Sequence, residues 1–167
     1  MLNLTTTSDT VTIITGSAGE VDVTASFVDL NGTTVTPGRQ NTAGITTATT
    51  TTVVSAPGSS TTRNVKFLSI HNESATIPNA IEVYVNDGTN TVEIYRATLG
   101  VLETAIFVDG QGWQKLNSSG APVTTASSAP ADIQIFNGVG GTWTTLMLHL
   151  LVLYIIRQYL LHRQARR

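Results

Sequence analysis

Three glutamates, three aspartates, one histidine and one tryptophan are the side chains whose type and spacing invite a chemical reading. Glu82, Glu93 and Glu103 fall on separate apolar-alternating runs. Two carboxylates about 5–10 Å apart could cleave a glycosidic bond, but exposed sheet faces carry such residues routinely. Asp29, Asp87 and Asp109 could offer oxygen to calcium, which takes carboxylate and carbonyl ligands. They lack EF-hand spacing, and Asp87-Gly88 and Asp109-Gly110 are explained by turn geometry. His71 has no second histidine nearby and the chain has no cysteine, so a structural role is the expectation. Trp113 follows Gly112 and admits two readings. It either closes one end of a core or presents an exposed ring to a sugar, and the core reading is preferred. Gly138-Val139-Gly140-Gly141 suggests a phosphate loop but lacks the Lys-Ser/Thr that must follow. No catalytic, cofactor or metal residue is assigned, and no cofactor is expected. The chain reads as non-enzymatic.

Composition narrows the class. The 167 residues suffice for one domain and an appendage. The lack of cysteine excludes disulfides and thiolate metal sites. Charged residues make up 12%, about half of what is usual for soluble domains. Threonine is about one residue in six. Such a chain suits an assembled β protein better than a cytosolic enzyme. Charge is also unevenly placed. Eleven acidic and five basic residues precede Arg157, and the last eleven residues carry four arginines and no acid. A basic end can bind an acidic surface or complement a helix C-terminus. No nucleic-acid module is visible. The opening MLNLTTTSDT has neither basic nor apolar signal-peptide regions, so secretion by that route is not expected.

The elements that would position these side chains are short strands. From Arg63 to Leu116, apolar residues alternate with polar ones over short runs separated by turn residues, the pattern of half-buried strands. In Val65 to Asn72, alternation puts Val65 and Phe67 on one face and Lys66, Leu68 and Ile70 on the other. Ile81, Val83 and Val85 oppose Glu82, Tyr84 and Asn86. Val92 and Ile94 oppose Glu93 and Tyr95. Ile106 and Val108 follow, then Trp113 and Leu116. Upstream, Val11 to Thr15 and Val21 to Leu30 are predicted strands, with Asn31-Gly32 as a tight turn and Thr33 to Thr36 as the return. Pro37-Gly38 is expected to end that strand, with a polar loop to Gly44. The Thr-rich run Thr46 to Thr52 leads into Val53-Val54 as a strand with a solvated face, or as an edge that pairs with a neighbouring subunit.

These readings give an antiparallel β-sandwich or jelly-roll-like domain over 10–117, preceded by an irregular arm, 1–9. A Ser/Ala/Pro-rich linker follows over 118–132, then a short strand and Gly-rich turn over 133–143. The segment 144–167 is free of Gly and Pro and rich in Leu, so a helix is predicted there, with Thr144 or Thr145 as N-cap. Leu146, Leu150, Leu153, Ile156 and Leu160 lie close to i, i+4, i+7 spacing. Met147, Leu148, Leu151, Val152 and Ile155 make the segment apolar nearly all round, which demands burial. The apolar run from Leu146 to Ile156, with His149 admitted, falls short of the about 20 residues of a membrane span. A homo-oligomeric bundle is favoured over a bilayer.

Two stretches, Ile45 to Asn72 and Asn86 to Gly120, resemble small virion proteins of tailed phages. The shared marks are a Thr-rich lead into Arg63-Asn64-Val65, then Leu99, Glu103, Asp109-Gly110 and Gly112-Trp113. The resemblance spans roughly Val11 to Gly120. It implies a β-rich, often trimeric fibre, appendage or decoration on the head, head–tail joint or tail. The partners it implies are copies of the chain and other virion proteins such as capsid, portal, adaptor or tail. Phe136 to Thr144 resembles the start of Gly-rich tail-fibre segments, but the sequence departs from that pattern at Thr145. The departure speaks against a full-length receptor-binding fibre and for a short protein whose end assembles or attaches. A frameshifted tail is the other reading.

Overall fold

A computed structural model describes residues 1–123. The expected linker beyond Val123, the short strand and Gly-rich turn, and the Leu-rich segment with Leu146, Leu150, Leu153, Ile156 and Leu160 lie outside the described residues.

Among the described residues, ten strands form two antiparallel sheets. They are β1 (Leu2–Leu4), β2 (Thr10–Thr15), β3 (Val21–Asn31), β4 (Thr34–Ile45), β5 (Thr50–Val54), β6 (Thr62–Asn72), β7 (Asn79–Asn86), β8 (Thr91–Leu99), β9 (Thr104–Val108) and β10 (Gly112–Leu116). One sheet runs β10-β9-β6-β3-β4, with β1 also on β6, and the other runs β5-β2-β7-β8. The architecture is a β-sandwich. Its core is drawn from the inward positions of both sheets, including Ile13, Val23, Leu68, Ile70, Ile81 and Leu99, all at most 2% exposed. These are the alternating β-branched and Leu residues that period-two reading selects.

Several local expectations are corrected. The first residues are not an irregular arm. Leu2–Leu4 pairs with Arg63–Val65, and Leu4 is fully buried. The loop after β1 is closed by Asp9, whose carboxylate accepts the Thr5 and Thr6 N–H groups at 2.5 and 3.1 Å and the Thr6 hydroxyl. β1 and β9 lie end to end on the same edge of β6, and Lys66 sits at the joint. Lys66 is also a bulge against β3, because Phe27 pairs with Val65 while Ser26 pairs with Phe67. One extra residue flips the faces. Val65, Leu68 and Ile70 therefore all point inward, and Phe67 pairs with outward Ser26.

Pro37-Gly38 does not end a strand. β4 continues to Ile45, pairing with β3 except at a bulge around Ala43-Gly44. Proline is tolerated on an edge strand because its missing N–H would have faced away from the neighbour. The inward positions of β4, opposite Phe27, Ala25 and Val23, are Gly38, Gln40 and Thr42. None is a large apolar residue, so the strand carries no hydrophobic period. Gln40 instead ties the two sheets at this edge. Its Oε1 accepts the Ser55 N–H at 2.9 Å and its Nε2 donates to the Thr52 carbonyl at 3.4 Å. Asn31 belongs to β3 and pairs with Thr34, so the tight turn is Gly32-Thr33, with Gly32 at φ 57°. In β8 a second bulge places Tyr95 opposite Val83, where it packs against the core, while Val92 is 59% exposed.

The β2–β3, β4–β5, β6–β7 and β8–β9 connections cross between the sheets at one end of the sandwich, and buried side chains hold those loops. Asn72 and Asn79 are both fully buried. Asn72 donates to the carbonyls of Ile77, Leu99 and Gly100 and accepts the Ser74 N–H. Asn79 accepts the Gly16 and Ser17 N–H groups and donates to the carbonyls of Ser17 and Gly19. Thr15, also buried, donates to the Thr47 carbonyl and accepts the Thr49 N–H.

Replacing Asn72 by Ala removes its contacts to the carbonyls of Ile77, Leu99 and Gly100 and to the Ser74 N–H. We expect a loss of about 1–3 kcal/mol or more, since each buried unpaired group carries a penalty of that order. Gly38→Ala puts a Cβ into the Phe27 ring, and overpacking of this kind costs about 1–3 kcal/mol. Urea unfolding of each variant against the parent checks both. An Asn72→Ala protein as stable as the parent would show that the loops do not need the amide.

Candidate functional site

The three glutamates are distributed as follows. Glu82 on β7 and Glu93 on β8 share the outer face of their sheet, with Glu93 opposite Tyr84, two residues along from Glu82. Between them the Tyr84 hydroxyl donates to Glu82 at 2.6 Å and lies 3.3 Å from Glu93. Arg96 bridges both, with Nη2 at 3.1 Å from Glu82 and 2.6 Å from Glu93, and Nε at 3.1 Å from Glu93. The Arg96 hydrogen bond holds the Glu93 carboxyl below its ordinary range, and the Glu82 hydrogen bond raises the Tyr84 hydroxyl. A glycosidase acid needs the opposite treatment, an environment that keeps one carboxyl protonated near neutrality. Here the structure brings two carboxylates together and spends them on one arginine. Arg96 is exposed, so these pairs contribute little to stability.

Glu103 is far from that pair in role. It precedes β9, accepts the Gly100 N–H at 2.6 Å and pairs with Lys115 of β10 at 2.6 Å. Lys115 also donates to the Thr98 carbonyl at the end of β8. One ion pair thus pins the β8–β9 turn to the outermost strand. The Lys115 ammonium, followed by the Gly100 N–H, lowers the Glu103 carboxyl.

The three aspartates are not gathered for a cation. Asp29 forms a bidentate pair with Arg63, both bonds 2.8 Å long. Asp87 caps its own turn by accepting the Thr89 and Asn90 N–H groups. Asp109 pairs with Lys66 at 2.7 Å, with the amino terminus at 3.6 Å. Among the described residues no three His, Asp or Glu side chains cluster as metal ligands. No helix there is long and apolar enough to cross a membrane.

His71 lies on the outer face of its sheet, in a row with Asp22 of β3 and Thr104 of β9. Its Nδ1 is 2.8 Å from the Thr104 hydroxyl. A nucleophile and a base could look like this. But Asp22, the third member of such a relay, is turned to the Gly44 N–H at 2.8 Å. The row is a cross-strand polar ladder.

Trp113 belongs to β10 and stacks on Tyr95 of β8 with ring centroids 4.2 Å apart and planes 10° from parallel. Phe107 tilts against it at 5.4 Å. Tyr95 and Trp113 stand on edge strands of opposite sheets, so the stack closes one open side of the sandwich. One face of the indole is therefore taken by Tyr95. Beside it, Ile106, Val108, Gln111, Gly112 and Gln114 surround a hollow of about 210 Å³. That is smaller than the about 300–1,000 Å³ of ordinary ligand pockets.

Sequence reasoning missed the residue that closes the sandwich at the end opposite the buried asparagines. Arg63 caps the inner face there. Its guanidinium lies 3.7 Å over the Phe27 ring, binds Asp29 and donates to the Ser55 carbonyl at 2.9 Å. Arg63 was visible only as part of a motif. Nothing in sequence spacing links it to Asp29, 34 residues away.

Asp9, Glu93, Glu103 and Asp109 all have lowered carboxyl pKa values, through Thr6, Arg96, Lys115 and Lys66 respectively. The stability that a lowered carboxylate contributes is complete above its unfolded value, about 4, and is lost as pH falls through the folded value. Stability should therefore be flat from neutrality to about pH 5 and decline below pH 4. In Asp9→Asn the acid decline should be shallower, since one fewer proton is taken up on unfolding. Urea midpoints across an acid titration measure this. An unchanged slope would remove Asp9 from the explanation. Trp113→Ala should cost up to about 3–5 kcal/mol, the range for large aromatic truncations, and the same unfolding curves read it. No family model, no curated protein and no solved structure matches this chain.

Proposed function

We propose that this chain is a structural protein of a tailed-phage virion, assembled as a trimer into a fibre, appendage or decoration on the head, the head–tail joint or the tail. One observation carries the reading. The residues behind the resemblance to phage virion proteins coincide with the residues that hold the β-sandwich together. Arg63 caps the core through Asp29 and Phe27. Leu99 is fully buried, and Glu103 pins β8 and β9 to β10. Asp109 pairs with Lys66 at the bulge, and Gly112 at φ 87° leads into the Trp113 seal. Motif residues with mechanical duties and no free reactive group favour a scaffold over a catalyst.

Assembly is proposed to run through the Leu-rich stretch, with Leu146, Leu150, Leu153, Ile156 and Leu160 as the associating positions. Apolar burial is worth about 25 cal/mol per Å², and the surplus left after ordering costs drives association. Partners would be copies of the chain and neighbouring virion proteins.

Sedimentation of the full chain should show a trimer. Replacing Leu150 and Leu153 with Asp should yield monomers whose β domain unfolds as before. A parent chain that sediments as a clean monomer would overturn the assembly. Mass spectrometry of purified particles should find the chain at a fixed copy number. Its recovery in a membrane fraction, or binding to a glycan array that Trp113→Ala abolishes, would favour a different function.

A further inference from the structure

We propose that Asn31 is a site of self-catalysed modification, at which the side-chain amide is converted to a carboxylate through a cyclic imide formed with the Gly32 nitrogen. The chemistry needs three things: an asparagine, a following residue with no side chain to obstruct attack, and a local backbone free to rotate. Asn31 and Gly32 form the tip of the β3–β4 hairpin, and every residue from Asn31 to Val35 is exposed. A Cβ built on Gly32 would meet no atom within 4 Å, so the space beside its α-carbon is open. Asn31 pairs with Thr34 in the last rung of the ladder. Extended backbone holds the Gly32 nitrogen away from the side chain, and fraying of that single rung brings them together.

Other asparagines and Asp-Gly steps among the described residues lack this combination. Asn72 and Asn79 are fully buried. Asn86 accepts the Gly88 N–H at 2.7 Å, and Asn117 accepts the N–H groups of Ser119 and Ala121. Asp87 is bound to its own turn, and Asp109 is bound to Lys66. Each would have to break specific bonds first.

The balance is simple. Hydroxide takes the Gly32 N–H proton, and the nitrogen attacks Asn31 Cγ. A C–N bond forms, water returns a proton to Nδ2, the Cγ–Nδ2 bond breaks, and ammonia leaves with hydroxide regenerated. Water then opens the five-membered imide. Cleavage on the Cγ side gives aspartate, and cleavage on the main-chain side gives isoaspartate. The second product inserts a methylene into the backbone at the tip and disturbs the turn. Both products add one negative charge at the end of the longest hairpin.

The test is incubation of the folded full chain at mildly alkaline pH, with peptide mapping by mass spectrometry. Methyl transfer by an isoaspartyl methyltransferase serves as the probe for the rearranged product. The Asn31 peptide should gain the amide-to-acid mass difference before the Asn86 and Asn117 peptides, and faster as pH rises. Asn31→Gln should abolish the signal in that peptide, because a six-membered ring closes far more slowly. The Asn137-Gly138 peptide, with the same dipeptide outside the described residues, is read separately. A folded chain that keeps Asn31 as amide while urea-unfolded chain converts would overturn the proposal. So would conversion of Asn86 or Asn117 first.

Discussion

A sandwich of two sheets must carry its chain across the core at the sheet ends, where backbone polar groups beside the core need partners. Two fully buried carboxamides answer this constraint. Asn72 ends β6 and Asn79 begins β7, so the loop between them is bounded by both. Asn72 reaches forward to the β8–β9 turn, and Asn79 reaches back to the β2–β3 turn. An amide offers donors and acceptors in a fixed plane without bringing a charge into the core. A carboxylate could not donate to the carbonyls, and an ammonium could not accept from the N–H groups. No buried side-chain nitrogen or oxygen among the described residues lacks a partner. The loops are thereby tied to the core, and the strands they connect hold their register.

The opposite end relies on charge used sparingly. Arg63 spreads its guanidinium across the Phe27 ring while its nitrogens face Asp29 and Ser55. Planarity makes this possible, because a guanidinium can stack and bond in the same pose. Gly38 on β4 leaves room for the ring edge, so the cap, the ring and the glycine form one unit. A lysine at 63 could keep the charge but neither the bidentate pair nor the stack. Lys66, Lys115 and Arg96 are also paired, each across strands or between a strand and a turn. In a chain with 12% charged residues, Arg63, Lys66 and Lys115 each tie a strand to a neighbouring strand or turn.

The sequence made the two-sheet antiparallel class legible, along with most strands whose inward residues are apolar. Val21 to Phe27 and Ile81 to Val85 face as alternation requires. It failed where alternation is not the deciding signal. Apart from buried Ile45 at its end, β4 has Gly38, Gln40 and Thr42 at its inward positions, so it rests largely on backbone pairing and Gln40, neither of which has a period. The Lys66 bulge shifts every face after it by one, and a bulge is set by both strands together. β1 is too short for periodicity and is placed by Leu4 and the Asp9 cap. Of the site candidates, the Asp-Gly turns were read correctly as turns. The Glu82–Glu93 approach was not legible, since cross-strand neighbours depend on the β8 bulge. Asn72 looked like the polar end of a strand, and nothing local marks it as buried.

These devices share one physical character. Long-range bonds of polar groups are used to fix geometry where apolar burial alone would leave it loose. Hydrophobic area is non-directional, so a core of Val, Ile and Leu would tolerate slipped registers and open ends. The amides, the Arg63 cap, the Glu103–Lys115 pin and the Tyr95–Trp113 stack each reject those alternatives, because each works in one register only. A protein that repeats identically in an assembly needs such uniqueness more than it needs a reactive group, since every copy must present the same surface to its neighbours. These contacts are spread over both ends and both open sides of the domain.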